Sequence, residues 1–312
     1  MYDPRHMIDI IAGNVKKTRS PFGAPKFMVN TWWKKMSLPR EGETLLLTGL
    51  MYQFVPYIET TTRYLEKYED SKLAGFIRFG RYQPKRLTGT GIVMMTPGDE
   101  KEKANVILRN IASLLIKSGV DFYYNPKLDF YSGILLYDLG DQESFIEHAG
   151  YVADKLKRAG IKKIITVDPH TTYALKVLYP KYTDAAFEVK TYFELINLKS
   201  ANGSRKVTIH DPCFYGRYLE LSDAPRKVLG QLDVECVDVQ NSGAFTSCCG
   251  GPAESISPKL SREVMERRVE ELQATGAPIA AMCPLCLNNL KKSGADVVDL
   301  STVIAHCAGI EN

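Results

Sequence analysis

No stretch of this 312-residue chain is an apolar run of about 18 residues, so nothing in it reads as a membrane-spanning helix. The N-terminal residues do not read as a signal peptide, so a reducing cytoplasm in which thiolates survive is the expected compartment. Seven cysteines are an odd number and cannot all pair, a further argument against a disulfide framework. Tryptophan is confined to the adjacent pair Trp32-Trp33. What remains, 45% hydrophobic and 24% charged residues, is ordinary for a globular protein with a real core.

Five of the seven cysteines fall into one pattern: Cys213, the pair Cys248-Cys249, then Cys283 and Cys286. His210-Asp211-Pro212-Cys213 follows the strand-like Lys206-Val207-Thr208-Ile209, and Cys283-Pro284-Leu285-Cys286 stands between an apolar run and a helical one. Between them Ser247-Cys248-Cys249-Gly250-Gly251-Pro252 is a tight loop whose glycines allow positive φ. Strand ends and helix starts along one rim are where α/β proteins place their chemistry. Adjacent cysteines cannot bond each other without strain, and scattered core cysteines would not give a pair plus a CxxC. Tetrahedral zinc is the rival reading, but it usually takes two CxxC knuckles and has no use for a fifth thiolate. Five thiolates suit an iron–sulfur cluster, for which sulfur ligation is the normal chemistry.

On these residues, together with Gly216-Arg217, the segment 206–296 resembles the CCG family, the cysteine-rich domain of heterodisulfide reductase components (B or D type) and of iron–sulfur subunits of glycolate, lactate and glycerol-3-phosphate oxidases. The resemblance implies one noncubane [4Fe–4S] cluster held by Cys213, Cys248, Cys249, Cys283 and Cys286, one of them bridging. It also implies a pseudo-twofold protein, because in well-understood members the domain occurs twice. Fused relatives carry a ferredoxin-like domain with CxxCxxCxxxCP. That motif is missing here, so a separate ferredoxin-like subunit (the heterodisulfide reductase C type) and a flavoprotein subunit are the expected partners.

Residues 1–40 hold eight Lys/Arg against two acids, a net of +6, whereas the whole chain is +4. This basic arm, taken as 1–42, carries Trp32-Trp33 and the Pro/Gly-broken Pro21-Phe22-Gly23-Ala24-Pro25. Such an arm can bind nucleic acid, pack on its own body or meet a partner subunit; the partner is the expectation, and nucleic acid is not.

From Glu43 on, strands are expected at 44–49, 91–95, 121–124, 163–167, 206–210, 233–239 and 277–282. Helices are expected at 51–67, 99–118, 141–160, 170–179, 224–230, 257–276 and 287–294, with residues 75–87 ambiguous and 180–205 a connection. The alternation argues an α/β fold with mostly parallel sheet covered by helices. The halves, 43–195 and 196–312, repeat. Thr48-Gly49-Leu50-Met51-Tyr52 lies over Asp211-Pro212-Cys213-Phe214-Tyr215, Phe130-Tyr131-Ser132-Gly133 over Ser247-Cys248-Cys249-Gly250, and Asp168-Pro169-His170-Thr171 over Cys283-Pro284-Leu285-Cys286. Leu50, Tyr131, Ser132, Asp168 and Thr171 therefore stand where cysteines would, and no second cluster is expected.

At the vacated half-site, Asp168 and His170 are candidates for a proton relay facing the cluster across a cleft; Asp168 as a helix cap is the plainer alternative. His210 either donates a hydrogen bond to a cluster sulfur or is structural. Tyr131 and Tyr137 are expected to fill the lost cluster's volume, and Cys236 and Cys307 to be plain thiols. The function expected is that of an iron–sulfur subunit of a cytoplasmic redox complex, peripheral to a membrane only through its partners. It would act on a thiol or disulfide substrate, or relay electrons from a hydroxy-acid flavoprotein to a quinone or another carrier. A zinc-stabilised assembly protein is the non-redox alternative.

Overall fold

The computed structural model describes residues 4–68, 83–202, 205–255 and 257–310. Strands β1 (Thr44–Leu47), β2 (Lys163–Thr166) and β3 (Glu188–Thr191) form a parallel sheet in that order, Leu45 opposite Ile164 and Ile164 opposite Val189. Strands β4 (Arg205–His210), β5 (Val234–Cys236), β6 (Ile279–Ala281) and β7 (Val297–Asp299) form a second, entirely parallel sheet in the order β5-β4-β6-β7. A parallel bridge from Leu45 to Tyr123 sits on the free edge of β1, the place β5 takes beside β4. Both halves therefore share one strand order, the α/β repeat that the sequence implied.

Parallel strands buried on both faces need apolar side chains in succession, and Leu45-Leu46-Leu47 supplies them. Leu45 and Leu47 enter one core with Ile164, Val189, Ile279 and Ala281. Leu46 enters the other with Ile165, Val207, Ile209 and Ala280. Each core thus takes residues from both halves, and the period-2 alternation of the strands sorts them. Helix Gly98–Lys117 packs on both Met51–Tyr68 and Leu300–Cys307, and Lys117 Nζ donates to the Ala308 carbonyl at 2.7 Å. Two tyrosines at equivalent positions close the join. Tyr52 donates to Asp299 Oδ2 at the end of β7 (2.7 Å), and Tyr215 lies 3.1 Å from the Thr191 hydroxyl at the end of β3.

Several expectations are corrected. Residues 91–95 are not a strand but the end of helix Lys85–Met95. A short apolar run is compatible with either element, and here Lys85, Gly89 and Val93 turn inward while Leu87, Met94 and Met95 stay exposed. Gly89 faces the backbone of Gly23, where a Cβ would lie 2.2 Å from a carbonyl carbon, so the helix can only approach because that residue is glycine. The strand expected at 121–124 shrinks to the Tyr123 bridge. The connection 180–205 contains β3, and beyond residue 294 the chain adds β7 and helix Leu300–Cys307. Most of the ambiguous stretch 75–87 lies outside the described residues; its last residues open helix Lys85–Met95.

The N-terminal segment packs on its own body: helix Pro4–Thr18 lies on the Gln142–Arg158 helix, and Trp32 is fully buried with its ring 4.7 Å from that of Tyr124. Asn30, Tyr124, Thr48 and Gly49 all hydrogen-bond the buried Asp129 carboxylate, which ties the segment to the end of β1. Trp33 is stacked under Arg40.

Removing the Trp32 side chain should therefore act on the fold. Trp32→Ala is expected to cost about 3–5 kcal/mol of stability, read as a lowered denaturation midpoint. A variant as stable as the parent would return the segment to the role of a loose arm.

Candidate functional site

Cys213 and Cys283 leave the C-terminal ends of neighbouring parallel strands, since His210 at the end of β4 pairs with Ala281 at the end of β6. Cys283 is the N-cap of helix Pro284–Lys291, and Cys286 lies in its first turn. Cys213 opens a π-helical turn, Phe214–Tyr218, an irregularity that recurs at functional sites. The Cys248-Cys249 loop is brought down onto these strand ends by three ties. Asp211 accepts both terminal nitrogens of Arg226 (2.9 and 2.8 Å) and the Gly243 amide (2.8 Å). Its carbonyl accepts the Thr246 hydroxyl at 2.7 Å. Asn289 donates to the Cys249 carbonyl at 2.6 Å. Gly250 sits at φ +83°, and a Cβ there would meet the Ser261 carbonyl oxygen at 2.4 Å, so only glycine lets the loop lie this close to helix Pro258–Gln273.

Five sulfurs result in one pocket, all of them free thiols, with Cys249, Cys283 and Cys286 buried and Cys213 and Cys248 half-buried. They are electrically linked. The hydrogen bond from Cys248, with a second from Cys286, holds the Cys249 thiol well below its ordinary range. Burial by itself would raise Cys283, but Cys286 and His170 bring it down to about 5. Cys248 and Cys286 go the other way, raised first by their bonds to Cys249, and burial pushes Cys213 up to about 12. The four shifts run in opposite directions because neighbouring thiols share their hydrogen bonds. Backbone amides of Gly250 and Gly251 point at the sulfurs of Cys248 and Cys249, at 3.3 and 3.4 Å. A ring nitrogen of His210 and the sulfurs of Cys249 and Cys286 lie within 4.8 Å of one another. Soft donors, preformed amide donors and burial fit an iron–sulfur cluster.

The vacated positions also find their places. Asp168 caps the helix Pro169–Tyr173, its Oδ1 accepting the amides of His170 (2.9 Å) and Thr171 (3.0 Å). It occupies in the first half the N-cap place that Cys283 holds in the second. His170 does approach the cysteine set, its Nδ1 lying 3.7 Å from the Cys283 sulfur. Both residues are buried, with the Phe214 ring 4.9 Å from the His170 ring. Asp168 and His170 are thus packed at the join between the halves. Tyr131 is buried between Phe54 and His148, and Tyr137, half-buried, packs on Phe145. Cys307 lies in the core and Cys236 is half-buried, both apart from the five.

Sequence reasoning missed Asp138, Arg226 and Arg268. Asp138 Oδ2 lies 4.0 Å from His170 Nε2, and burial raises its carboxyl to about 6. Asp138 falls in none of the motifs, so nothing in its local sequence marks it. Arg226 and Arg268 look like ordinary charges on amphipathic helices, and only the packing turns them inward.

The His170–Cys283 contact yields a measurable expectation. Burial alone would lower the His170 ring, but Cys283, Asp138 and Asp168 raise it to about 9, so an imidazolium–thiolate pair is expected between about 5 and about 9. In the metal-free protein the Cys283 share of the thiolate ultraviolet absorbance should disappear as pH falls through about 5. In His170→Gln that share should disappear at higher pH, because the cation opposite the thiolate is gone. Superimposable titrations of the two proteins would refute the pairing.

Residues 207–291 match the cysteine-rich domain family, CCG. Over 196 residues the chain is 33% identical to a probable membrane-anchored ferredoxin of Chromohalobacter salexigens, covering 57% of this chain and 29% of that one. Over 207 residues it is 29% identical to the probable iron-sulfur-binding oxidoreductase FadF of Bacillus subtilis, covering 62% and 29%. Over 224 residues it is 31% identical to the D-type component of the dihydromethanophenazine:CoB–CoM heterodisulfide reductase of Methanosarcina mazei, covering 64% and 54%. The matched region thus amounts to between 29% and 54% of these relatives' length. The second half of this chain carries a cysteine-rich CCG domain, in a setting similar to proteins named as iron–sulfur oxidoreductases and their subunits.

Proposed function

We propose that this chain is the iron–sulfur subunit of a redox complex, holding one [4Fe–4S] cluster of noncubane type on Cys213, Cys248, Cys249, Cys283 and Cys286. The observation that carries the reading is the gathering of all five thiols, unpaired, at the ends of β4 and β6. A bound cluster would supply one-electron chemistry there. The protein's own part is to exclude water from the sulfurs, to point the Gly250 and Gly251 amides at two of them, and to keep a cation, His170, against Cys283. A thiol or disulfide substrate fits such a site, because a polarised sulfur environment is already built. Asp138, Asp168 and His170 form the acid–base group beside it.

The partners in this reading are a ferredoxin-like iron–sulfur subunit and a flavoprotein. The exposed cations of the N-terminal segment, such as Lys34, are the part of it offered to them. The compartment proposed is the cytoplasm. Among the described residues no helix is long and apolar enough to cross a membrane, and any membrane association is assigned to the partners in this reading.

An electron-relay role has an observation of its own. A cavity of about 340 Å³ runs from Ile10, Ile11 and Phe22 past Leu135 to Gly251 and Leu285, beside the cysteine loop and the CxxC turn. Its largely apolar wall suits a small lipophilic carrier such as a quinone better than a charged thiol.

Iron decides between these redox readings and zinc. Anaerobically purified protein should be brown and hold about four irons with matching sulfide per chain. Cys249→Ser should lose most of that iron, and Cys236→Ser should keep it. Stoichiometric zinc without charge-transfer absorption would overturn the assignment.

A further inference from the structure

His210 ends β4 at the edge of the cysteine pocket, and what lies behind it is a fully buried arginine. Arg268 comes from the inner face of helix Pro258–Gln273 and spends its whole guanidinium inside the protein. Its Nε donates to His210 Nδ1 at 3.0 Å. One terminal nitrogen donates to the Asn241 carbonyl (2.9 Å) and to Glu271 (2.6 Å), and the other reaches the Thr246 hydroxyl at 3.4 Å. These partners hold the guanidinium plane from three sides, so the bond to His210 has little freedom to turn away.

A guanidinium has donors and no acceptor. The nitrogen that receives its Nε–H must therefore present a lone pair, and the ring hydrogen must sit on the other nitrogen. Nδ1 is so occupied, which leaves Nε2, buried and without a hydrogen-bond partner among the described residues, as the nitrogen available to the sulfurs of Cys249 and Cys286. Carrying hydrogen, Nε2 can donate to sulfur but cannot ligate a metal, since ligation takes the lone pair. The distinction matters in this pocket. One imidazole nitrogen and two or three thiolates are the donor set of a tetrahedral zinc site, and His210, Cys249 and Cys286 stand close enough to begin one.

We propose that Arg268 is a positioning residue that selects the metal. By fixing the hydrogen of His210 on Nε2, it turns a Cys/His zinc site into a five-thiolate site with an N–H donor at its edge. The proposal rests on the cysteine set being the metal centre. The hydrogen bonds of the Arg268 side chain go to His210, Asn241, Glu271 and Thr246 and to none of the five cysteines, so it would act through the His210 ring, as outer-shell partners of metal-bound histidines do in the opposite sense.

The test compares two substitutions on the full-length, metal-free chain, with zinc affinity measured by competition against a chromophoric chelator. In Arg268→Gln the amide oxygen can accept from Nδ1–H, which frees the Nε2 lone pair. Zinc should then bind about tenfold or more tightly than to the parent. Arg268→Lys, a donor only, should bind zinc as the parent does, and adding His210→Leu to Arg268→Gln should remove the gain. Equal zinc affinity in the Gln and Lys variants would overturn the proposal. Should the Gln variant not fold, nitrogen-15 shifts of histidine in the metal-free parent still decide. A lone pair on Nδ1 of His210 is expected, and hydrogen there would refute the idea. In iron-loaded protein with nitrogen-15 histidine, electron spin echo should show the weak coupling of a hydrogen-bonded ring, and a directly bound nitrogen would be equally fatal. Parent protein that holds no iron would overturn the cluster assignment alone, because the zinc and tautomer measurements need no cluster.

Discussion

Keeping five unpaired sulfurs together, three of them buried and two half-buried, is the constraint on which the second half of the fold turns. Thiolates that close repel each other, and burial makes each of them costlier. Hydrogen bonds among the thiols lower Cys249, and the His170 ring 3.7 Å from the Cys283 sulfur helps to lower Cys283. Backbone stiffness does the rest. Two of the sulfurs start from adjacent strand ends whose register is set by the sheet, and the cysteine pair hangs on Asp211, Asn289 and a glycine that tolerates positive φ.

The first half has the same frame with another filling. Asp129 stands two residues before Tyr131 as Thr246 stands two before Cys248, and each ties its loop to the end of the first strand of its half. Gly133 and Gly250 both take positive φ. Where sulfurs would converge, the first half packs a tyrosine ring, a capping carboxylate and a threonine that nearly touches Gly49. That half serves the cluster side from outside, by supplying His170 and Asp138 across a join sealed by Phe214 and by the two crossing tyrosine bonds. The protein thereby resembles a duplicated device in which one copy has become the wall and charge environment of the other.

A second consequence of the shared cores is that the N-terminal segment, the halves and the helix between them form one packed body. Trp32 belongs to the same core as Leu46 of the first sheet and Ile209 of the second. A disturbance at residue 32 is felt in a core that also backs β4, the strand that leads into Cys213. The basic charge that marked this segment in the sequence is a property of its outer surface, whereas its apolar side chains belong to the interior.

Much of this is legible in the sequence. The cysteine spacing, the strand-to-helix context of Cys213 and Cys283 and the repeat of the two halves are local patterns, and local patterns survive in sequence because each rests on a backbone conformation or a face periodicity. The short apolar run 91–95 was misjudged, since its length suits strand and helix alike and only the approach of Gly89 to Gly23 makes it a helix. The edge pairings of β3 and β7, each three or four residues long, have too little periodicity to announce themselves. Trp32 as a core residue, Asp138 beside His170 and Arg268 behind His210 were likewise invisible. Such roles depend on partners far along the chain: Arg268 is 58 positions from His210, and Asn30 is 94 from Tyr124. The sequence by itself determined which atoms could bind a metal and on which scaffold. The tertiary structure alone decided which nitrogen of His210 meets the sulfurs, because a tautomer is chosen by the neighbour that donates to the ring, and that neighbour arrives from a distant helix.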